Sequence, residues 1–234
     1  MAKGGALLAR VVTKLEIPAL IAVPLILLLC AAFGVKSAGL LTLLVACAAL
    51  LVFFAGFELS RPSMRQILPA VVLGALAAAG RILFAAIPDF KPVSAMCILA
   101  GVVFGRRTGF LVGALAALAS NFFFGHGPWT PWQMYAWGMI GYTAGLLQEK
   151  GAFKYQAVLY VFGFLSGILY GLILNTWHIV GFVQPLTWES ALIAYGASMP
   201  FDIMHGVSTV VFLLVIYAPW RKKLERIREK YELV

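Results

Sequence analysis

Long apolar stretches separated by short clusters of Gly, Pro and charged residues set the pattern of this chain. Eight stretches can be drawn, at residues 17–35, 38–57, 67–87, 93–104, 109–124, 132–147, 155–175 and 191–218. Most approach the ~20 residues that an α-helix needs to cross ~30 Å of hydrocarbon at ~1.5 Å per residue. The fourth is too short, so it is either extended by its neighbours or stops part-way. The pattern predicts an all-α polytopic membrane protein of eight helices, one of them irregular.

The polar residues divide these helices into parts. Residues 1–66 supply two helices with few polar atoms and end in the basic loop Arg61-Pro62-Ser63-Met64-Arg65, whereas residues 67–220 supply six helices with nearly all the buried polar groups. Residues 221–234 form a basic cytoplasmic tail in which Leu224, Ile227 and Tyr231 recur at helical spacing, the pattern of a helix lying at a lipid interface.

Composition agrees, since 62% of residues are hydrophobic and 12% charged. A soluble fold has no means of hiding that much apolar surface. The net charge of +9 is explained by topology. Alternate loops hold Lys3, Arg10, Lys14, Arg61, Arg65, Arg106, Arg107, Lys150, Lys154, Arg221, Lys222, Lys223, Arg226, Arg228 and Lys230, which is 15 of the 18 basic residues. The opposite loops hold Lys36 and Lys91, and Arg81 falls inside a span. The positive-inside rule then puts both termini in the cytoplasm of a prokaryotic plasma membrane protein and the 125–131 loop outside. No basic soluble segment exists to bind nucleic acid.

Cys30, Cys47 and Cys97 lie in apolar spans without metal-ligand spacing and read as small buried hydrophobes. Leu29 precedes Cys30 and Pro18 and Pro24 interrupt the first span, so it reads as a retained helix rather than a lipoprotein signal. With three histidines and scattered carboxylates, no metal set and no cofactor are expected, and His126 reads as a solvated loop residue.

Candidate chemistry gathers at the outer ends of the later helices. Residues 121–137, NFFFGHGPWTPWQMYAW, contain Gly125, Gly127, Pro128 and Pro131, which end the flanking helices and expose Trp129, Trp132 and Gln133 at one membrane face. The tryptophans, Trp137 included, form either an aromatic belt or a shaped ligand-binding loop. Arg81 lies seven residues before Pro88, ~10 Å of helix rise from the outer end; Asn121 precedes the Gly125 turn and Asn175 ends the seventh span. Glu189, Tyr195 and Ser198 lie toward the outer end of the last span, where Asp202 and His205 share one face deeper in. Intramembrane Arg81, Asp202 and His205 either contact a ligand or satisfy each other through an Arg81–Asp202 ion pair with His205 on a carbonyl.

Small residues form stripes that allow close helix approach in lipid, as Gly74/Ala78 and Ala75/Ala79 in the third span and Gly109/Gly113 with Ala116, Ala117 and Ser120 in the fifth. Such stripes serve packing within the chain or against a partner.

The sequence GRILFAAIPDFKPVSAMCILAGVVFG, followed by TGFLVGALAALASNFFFGHGPWTPWQM and later YGASMPFDIMHG, resembles a substrate-binding S component of an energy-coupling factor (ECF) transporter over residues 67–220. The resemblance implies a six-helix core, here preceded by two extra helices, that captures a vitamin-like small molecule outside. It implies a transmembrane coupling subunit and two ATP-binding-cassette (ABC) ATPases as partners, with an Ala-xxx-Ala interface matched by Ala75 and Ala79. This chain has no GxxxxGK[ST] loop of its own. The resemblance further implies that loops 88–92, 125–131 and 176–190 close over the ligand and that the protein topples in the membrane on docking. Arg81, Asn121, Trp129, Trp132, Gln133, Asn175, Tyr195, Asp202 and His205 are the expected ligand contacts. The Gly-Pro-Trp-Thr-Pro-Trp-Gln loop is similar to members assigned to cobalamin or queuosine precursors, and small residues in core helices 1 and 3 leave room for a corrinoid. Rival classes are an intramembrane enzyme using Glu189, His178, Asp202 and His205, and a scaffold subunit.

Overall fold

The computed structural model describes residues 2–233 except Gly34, Lys36, Ser37 and Arg61, with side chains from Leu7 onward. The charges of Lys3, Lys36 and Arg61 counted above lie outside the described side chains. The described residues form eight α-helices: α1 (Ala2–Ala32), α2 (Ala38–Leu59), α3 (Met64–Leu83), α4 (Val93–Phe104), α5 (Arg106–Phe124), α6 (Thr130–Glu149), α7 (Gln156–Phe182) and α8 (Trp188–Lys230). A 3₁₀ turn, Ala152–Lys154, joins α6 to α7.

Six of these, α1, α2, α3, α5, α7 and α8, are long and apolar enough to cross a membrane by length and composition. Their outward faces carry exposed Leu25, Leu44, Leu51, Leu165 and Leu214, as a surface solvated by lipid requires. The other two helices escape that requirement by position. All twelve residues of α4 are buried, so this ~18 Å helix is shielded by its neighbours instead of meeting lipid along its length. It stops at Gly105, whose φ of +89° lets the chain turn directly into α5. Helix α6 buries twelve of its twenty residues, including Trp132, Tyr135 and Trp137.

Close backbone contact holds α4, α5 and α6 together. A Cβ added at Gly109 would stand 2.4 Å from the Gly141 carbonyl oxygen and 2.7 Å from the Gly101 Cα. Only glycine fits such a crossing, where packing rather than hydrophobic transfer joins helices. The small residues of the fifth span therefore serve internal packing. Gly74 and Ala78 do the same on α3, where the space beside Gly74 is filled by Leu115.

Helices α1 and α2 dock against this core. Phe53 stacks on Phe110 with ring centroids 3.9 Å apart, and Val23, Leu27, Ala49 and Leu50 share a cluster with Trp132, Tyr135 and Trp177. The carboxylate of Glu16, fully buried, accepts from Arg107 Nε at 2.6 Å and from Tyr142 Oη at 2.8 Å. An isolated carboxylate at this depth is not tolerated, and a pair with a second donor satisfies it.

Helix boundaries move three expectations. Helix α3 ends at Leu83, not near Ile87, so Arg81 occupies its last turn, beside carbonyls that favour a cation, rather than lying ~10 Å down the helix. Helix α7 runs on to Phe182, which places Asn175 about two turns inside it and shortens the following loop to residues 183–187. Helix α8 continues through Pro219 to Lys230, so the tail prolongs a transmembrane helix and folds onto the core: Arg228 donates to the Val103 carbonyl at 2.9 Å and Leu233 is buried.

Candidate functional site

The end of the core away from the Arg106–Arg107 turn collects polar side chains from six helices. From the last turn of α3, Arg81 donates through Nη1 to Ser120 Oγ at 2.6 Å and Asn121 Oδ1 at 2.7 Å. Its guanidinium lies over the rings of Phe124 and Trp137, 4.5 and 4.9 Å from their centroids. A cation in that sandwich is stabilised by both ring faces and by its hydrogen bonds. Asn121, wholly buried on α5, donates to Thr130 Oγ1 at 3.0 Å and Gln133 Oε1 at 2.8 Å. The chain Arg81, Asn121, Gln133 thus joins α3, α5 and α6.

Aromatic contact extends the cluster. Trp137 stacks on Tyr170 of α7 with ring centroids 4.7 Å apart, and Tyr170 also meets His205 of α8, its ring tilted, at 4.7 Å. His205 Nε2 shares a hydrogen bond of 2.8 Å with Ser94 Oγ of α4. A second group lies between α7 and α8, where Asp202 Oδ2 accepts from Asn175 Nδ2 at 2.9 Å and Ser198 Oγ at 3.4 Å, and Tyr195 Oη meets Thr176 Oγ1 at 2.5 Å. Gly171 makes room for the Asp202 carboxylate.

These partners replace the ion pair considered from sequence. The hydrogen bonds of Arg81 go to Ser120 and Asn121 and those of Asp202 to Asn175 and Ser198, while His205 meets a serine hydroxyl and not a carbonyl. Asp202 and His205 lie on the same side of α8 yet serve different neighbours.

The tryptophans separate. Trp129 is exposed in the loop, folded over Gly127, which has no side chain to obstruct it. Trp132 is fully buried and stacked on Trp177 at 6.1 Å, and Trp137 is 2% exposed. An interfacial belt needs one wet edge, so neither belongs to one. Both indole N–H groups are buried without a hydrogen-bond partner among the described residues. Buried donors in native proteins are nearly always satisfied, which makes these two an unmet demand for acceptors.

The 125–131 loop starts at Gly125 with φ of +91° and is tied by Thr130 Oγ1, which accepts from Gly127 N at 3.3 Å. Helix α6 begins at Thr130 because Pro131 is tolerated in a first turn. The 84–92 loop is stapled to α8: Lys91 N donates to Ser208 Oγ at 2.8 Å and that hydroxyl donates to the Lys91 carbonyl at 2.9 Å. Lys91 Nζ caps the carbonyls of Phe84 and Ile87. Asp89 of this loop has its carboxyl pushed above the ordinary value of 3.8 by burial, against the pull of Lys91 and Arg81.

Sequence reasoning gave no polar role at the site to Ser94, Ser120, Thr130 or Tyr170. Ser94 carries no signal in an apolar run, Ser120 reads there as a small packing residue, Thr130 reads as loop, and Tyr170 is indistinguishable from a core aromatic. Among the described residues no group of His, Cys, Asp and Glu is arranged to hold a metal.

On the partner-interface residues, Ala75 and Ala79 are exposed whereas Gly74 and Ala78 are buried. Compared with known proteins, residues 63–222 match the family model described as "ECF-type riboflavin transporter, S component". No solved structure matches the chain.

Proposed function

This chain belongs to the ECF-type riboflavin transporter S-component family, and from that premise we propose that its outer cluster captures a flat heteroaromatic micronutrient for delivery by a coupling subunit and two ABC ATPases. As an S component it is the membrane-embedded, non-catalytic substrate-binding subunit of an ECF transporter. The chemistry of the cluster supports the rest. Arg81, Asn121 and Gln133 offer a charged and amide edge, Trp137 and Tyr170 offer a stacking layer, and the buried Trp137 indole N–H has no partner among the described residues. A planar ring with carbonyl and ring-nitrogen acceptors answers all three demands. Riboflavin has that chemistry, as does a queuosine precursor.

The observation that carries this reading is the joining of Arg81, Asn121, Gln133, Trp137, Tyr170 and His205 into one buried or half-buried network from five helices. The Ala75/Ala79 stripe is read as the face for the coupling subunit, and the basic end of the molecule as cytoplasmic, both termini with it. A corrinoid is the second reading, favoured by the similarity of the Gly127 to Gln133 loop. Its other support weakens, because Gly74, Ala78, Gly109 and Gly113 are taken up by helix contacts and leave no room there.

Mass spectrometry of small molecules released from detergent-purified protein tests the reading. A stoichiometric flavin or deazapurine supports it. A stoichiometric corrinoid replaces it with the second reading, and an empty protein indifferent to all three classes overturns both.

A further inference from the structure

At the basic end of the molecule, away from the ligand cluster, an apolar groove runs between α3 and the end of α8. Leu68, Val72 and Leu76 form one wall and Trp220, Leu224 and Ile227 the other, enclosing about 580 Å³. Arg65, an exposed residue, is part of its lining. A second cavity of about 550 Å³ adjoins it, sharing Phe104 and Leu233, but is polar, with Ser60, Gln66, Arg106, Arg107 and Glu149 among its lining. Arg106 is paired there with Glu149 at 3.6 Å, across a side-chain contact open to solvent, and Arg107 with Glu16 at 2.6 Å. The two form an apolar slot beside a polar chamber.

The surroundings fix the sign of charge. The α8 end contributes Arg221, Lys222, Lys223, Arg226, Arg228 and Lys230 against Glu225, Glu229 and Glu232, six positive charges against three negative. Tyr231 lines the slot, a residue type suited to the boundary between hydrocarbon and headgroups. In a membrane, an apolar slot at this level is filled by lipid chains, and basic residues at its end select among headgroups.

We propose that this slot and chamber seat one phospholipid with an anionic headgroup, its acyl chain between α3 and α8 and its phosphate among Arg65, Gln66 and Arg106. The seat joins the prolonged α8 to α3 and does not depend on what the outer cluster binds.

Native mass spectrometry of the full chain, released from nanodiscs containing equal phosphatidylglycerol and phosphatidylcholine, reads the seat directly. The expected result is one retained phosphatidylglycerol per chain. Arg65→Gln, at an exposed position, is expected to reduce the preference over phosphatidylcholine by about fivefold, the effect of one basic residue near the headgroups. Val72→Trp, also exposed, fills the slot and is expected to abolish retention. Equal retention of both lipids, retention of none, or a preference unchanged by Arg65→Gln would overturn the proposal. Full retention by a folded Val72→Trp protein would do the same, since the lipid would then sit outside the slot.

Discussion

Glu16 Oε1 accepts a hydrogen bond from Arg107 Nε at 2.6 Å, joining the first helix to the fifth across 91 positions of sequence. Arg107 also donates to Thr13 Oγ1 at 2.7 Å, and Tyr142 closes the other side of the carboxylate. The α1–α2 hairpin is thus locked to the core by a buried charge, in addition to the Phe53–Phe110 stack. Replacing Glu16 with Ala leaves Arg107 and Tyr142 without their acceptor. Breaking a buried pair is expected to destabilise by roughly 3 kcal/mol, the lower end of the range because Arg107 is partly exposed. Thermal unfolding in detergent should show a fall of about 6–12 °C for a chain of this size. A fall below ~2 °C would mean that the hairpin is held by apolar contact alone.

The glycine crossing yields a second expectation, because two helical glycines have opposite surroundings. At Gly141 a Cβ would stand 2.1 Å from the Gly109 carbonyl oxygen, whereas at Gly196 nothing lies within 4 Å. Gly141→Ala is expected to destabilise by about 1–3 kcal/mol or more, through overpacking. Gly196→Ala, in an exposed helical position, is expected to stabilise by up to ~1 kcal/mol. Denaturation of the two variants side by side checks the contrast, and equal effects would refute the crossing.

The eight apolar runs were legible because a membrane helix announces itself by length and hydropathy, and each run has its helix. Their ends were less legible. Arg81 reads as too deep because the apolar run continues to Ile87 whereas the helix stops at Leu83, which leaves Arg81 in its last turn. The tail reads as lipid-facing from Leu224, Ile227 and Tyr231, and these three residues line the cavity between α8 and α3. Glu16 was hidden because charge counting across loops weighs lysine and arginine and passes over acids. Polar convergence at one end of the helices was visible in Asn121, Gln133 and Asn175. The pairing within it was not, since hydrogen-bond partners depend on helix rotation, which no single sequence encodes in its spacing.

Asp89 gives a pH-dependent expectation. Burial raises its carboxyl above the ordinary 3.8, against the pull of Lys91 and Arg81. A carboxyl with a raised folded value contributes stability fully below its unfolded value and loses it as pH rises through the folded one. Asp89→Asn removes that loss, so the variant is expected to gain on the parent from pH 4 to pH 7. Asn also accepts the φ of +52° at this position, a benefit equal at both pH values. Unfolding of both proteins at the two pH values isolates the pH-dependent part, and a constant difference would refute it.

The exposed and buried faces of α3 separate partner docking from folding. Ala75→Leu and Ala79→Leu add bulk to an open surface and are expected to leave thermal stability within about 0.5 kcal/mol of the parent. Ala78→Leu forces a larger side chain into a packed position and is expected to destabilise by about 1–3 kcal/mol. With the coupling subunit and ATPases coexpressed, co-purification should fail for the stable pair of variants while ligand binding persists. Co-purification of the Ala75→Leu, Ala79→Leu double variant at parental yield would remove the stripe from the interface.

Arg81 separates capture from structure most directly. Its guanidinium is held by Ser120, Asn121 and two aromatic faces, so Arg81→Lys keeps a positive charge but loses the planar fork and most of the stacking. A hydrogen bond to a charged group contributes ~1.5–3 kcal/mol, which predicts a loss in ligand affinity of about 10–150-fold for Arg81→Lys. Asn121→Ala leaves Thr130, Gln133 and Arg81 without a common partner and is expected to weaken binding at least as much, with some loss of stability. Titration of the released ligand class onto stripped protein measures both. If Arg81→Lys bound with parental affinity while remaining folded, Arg81 would be a packing residue of the outer end and the ligand would have to be sought beside Asn175 and Asp202.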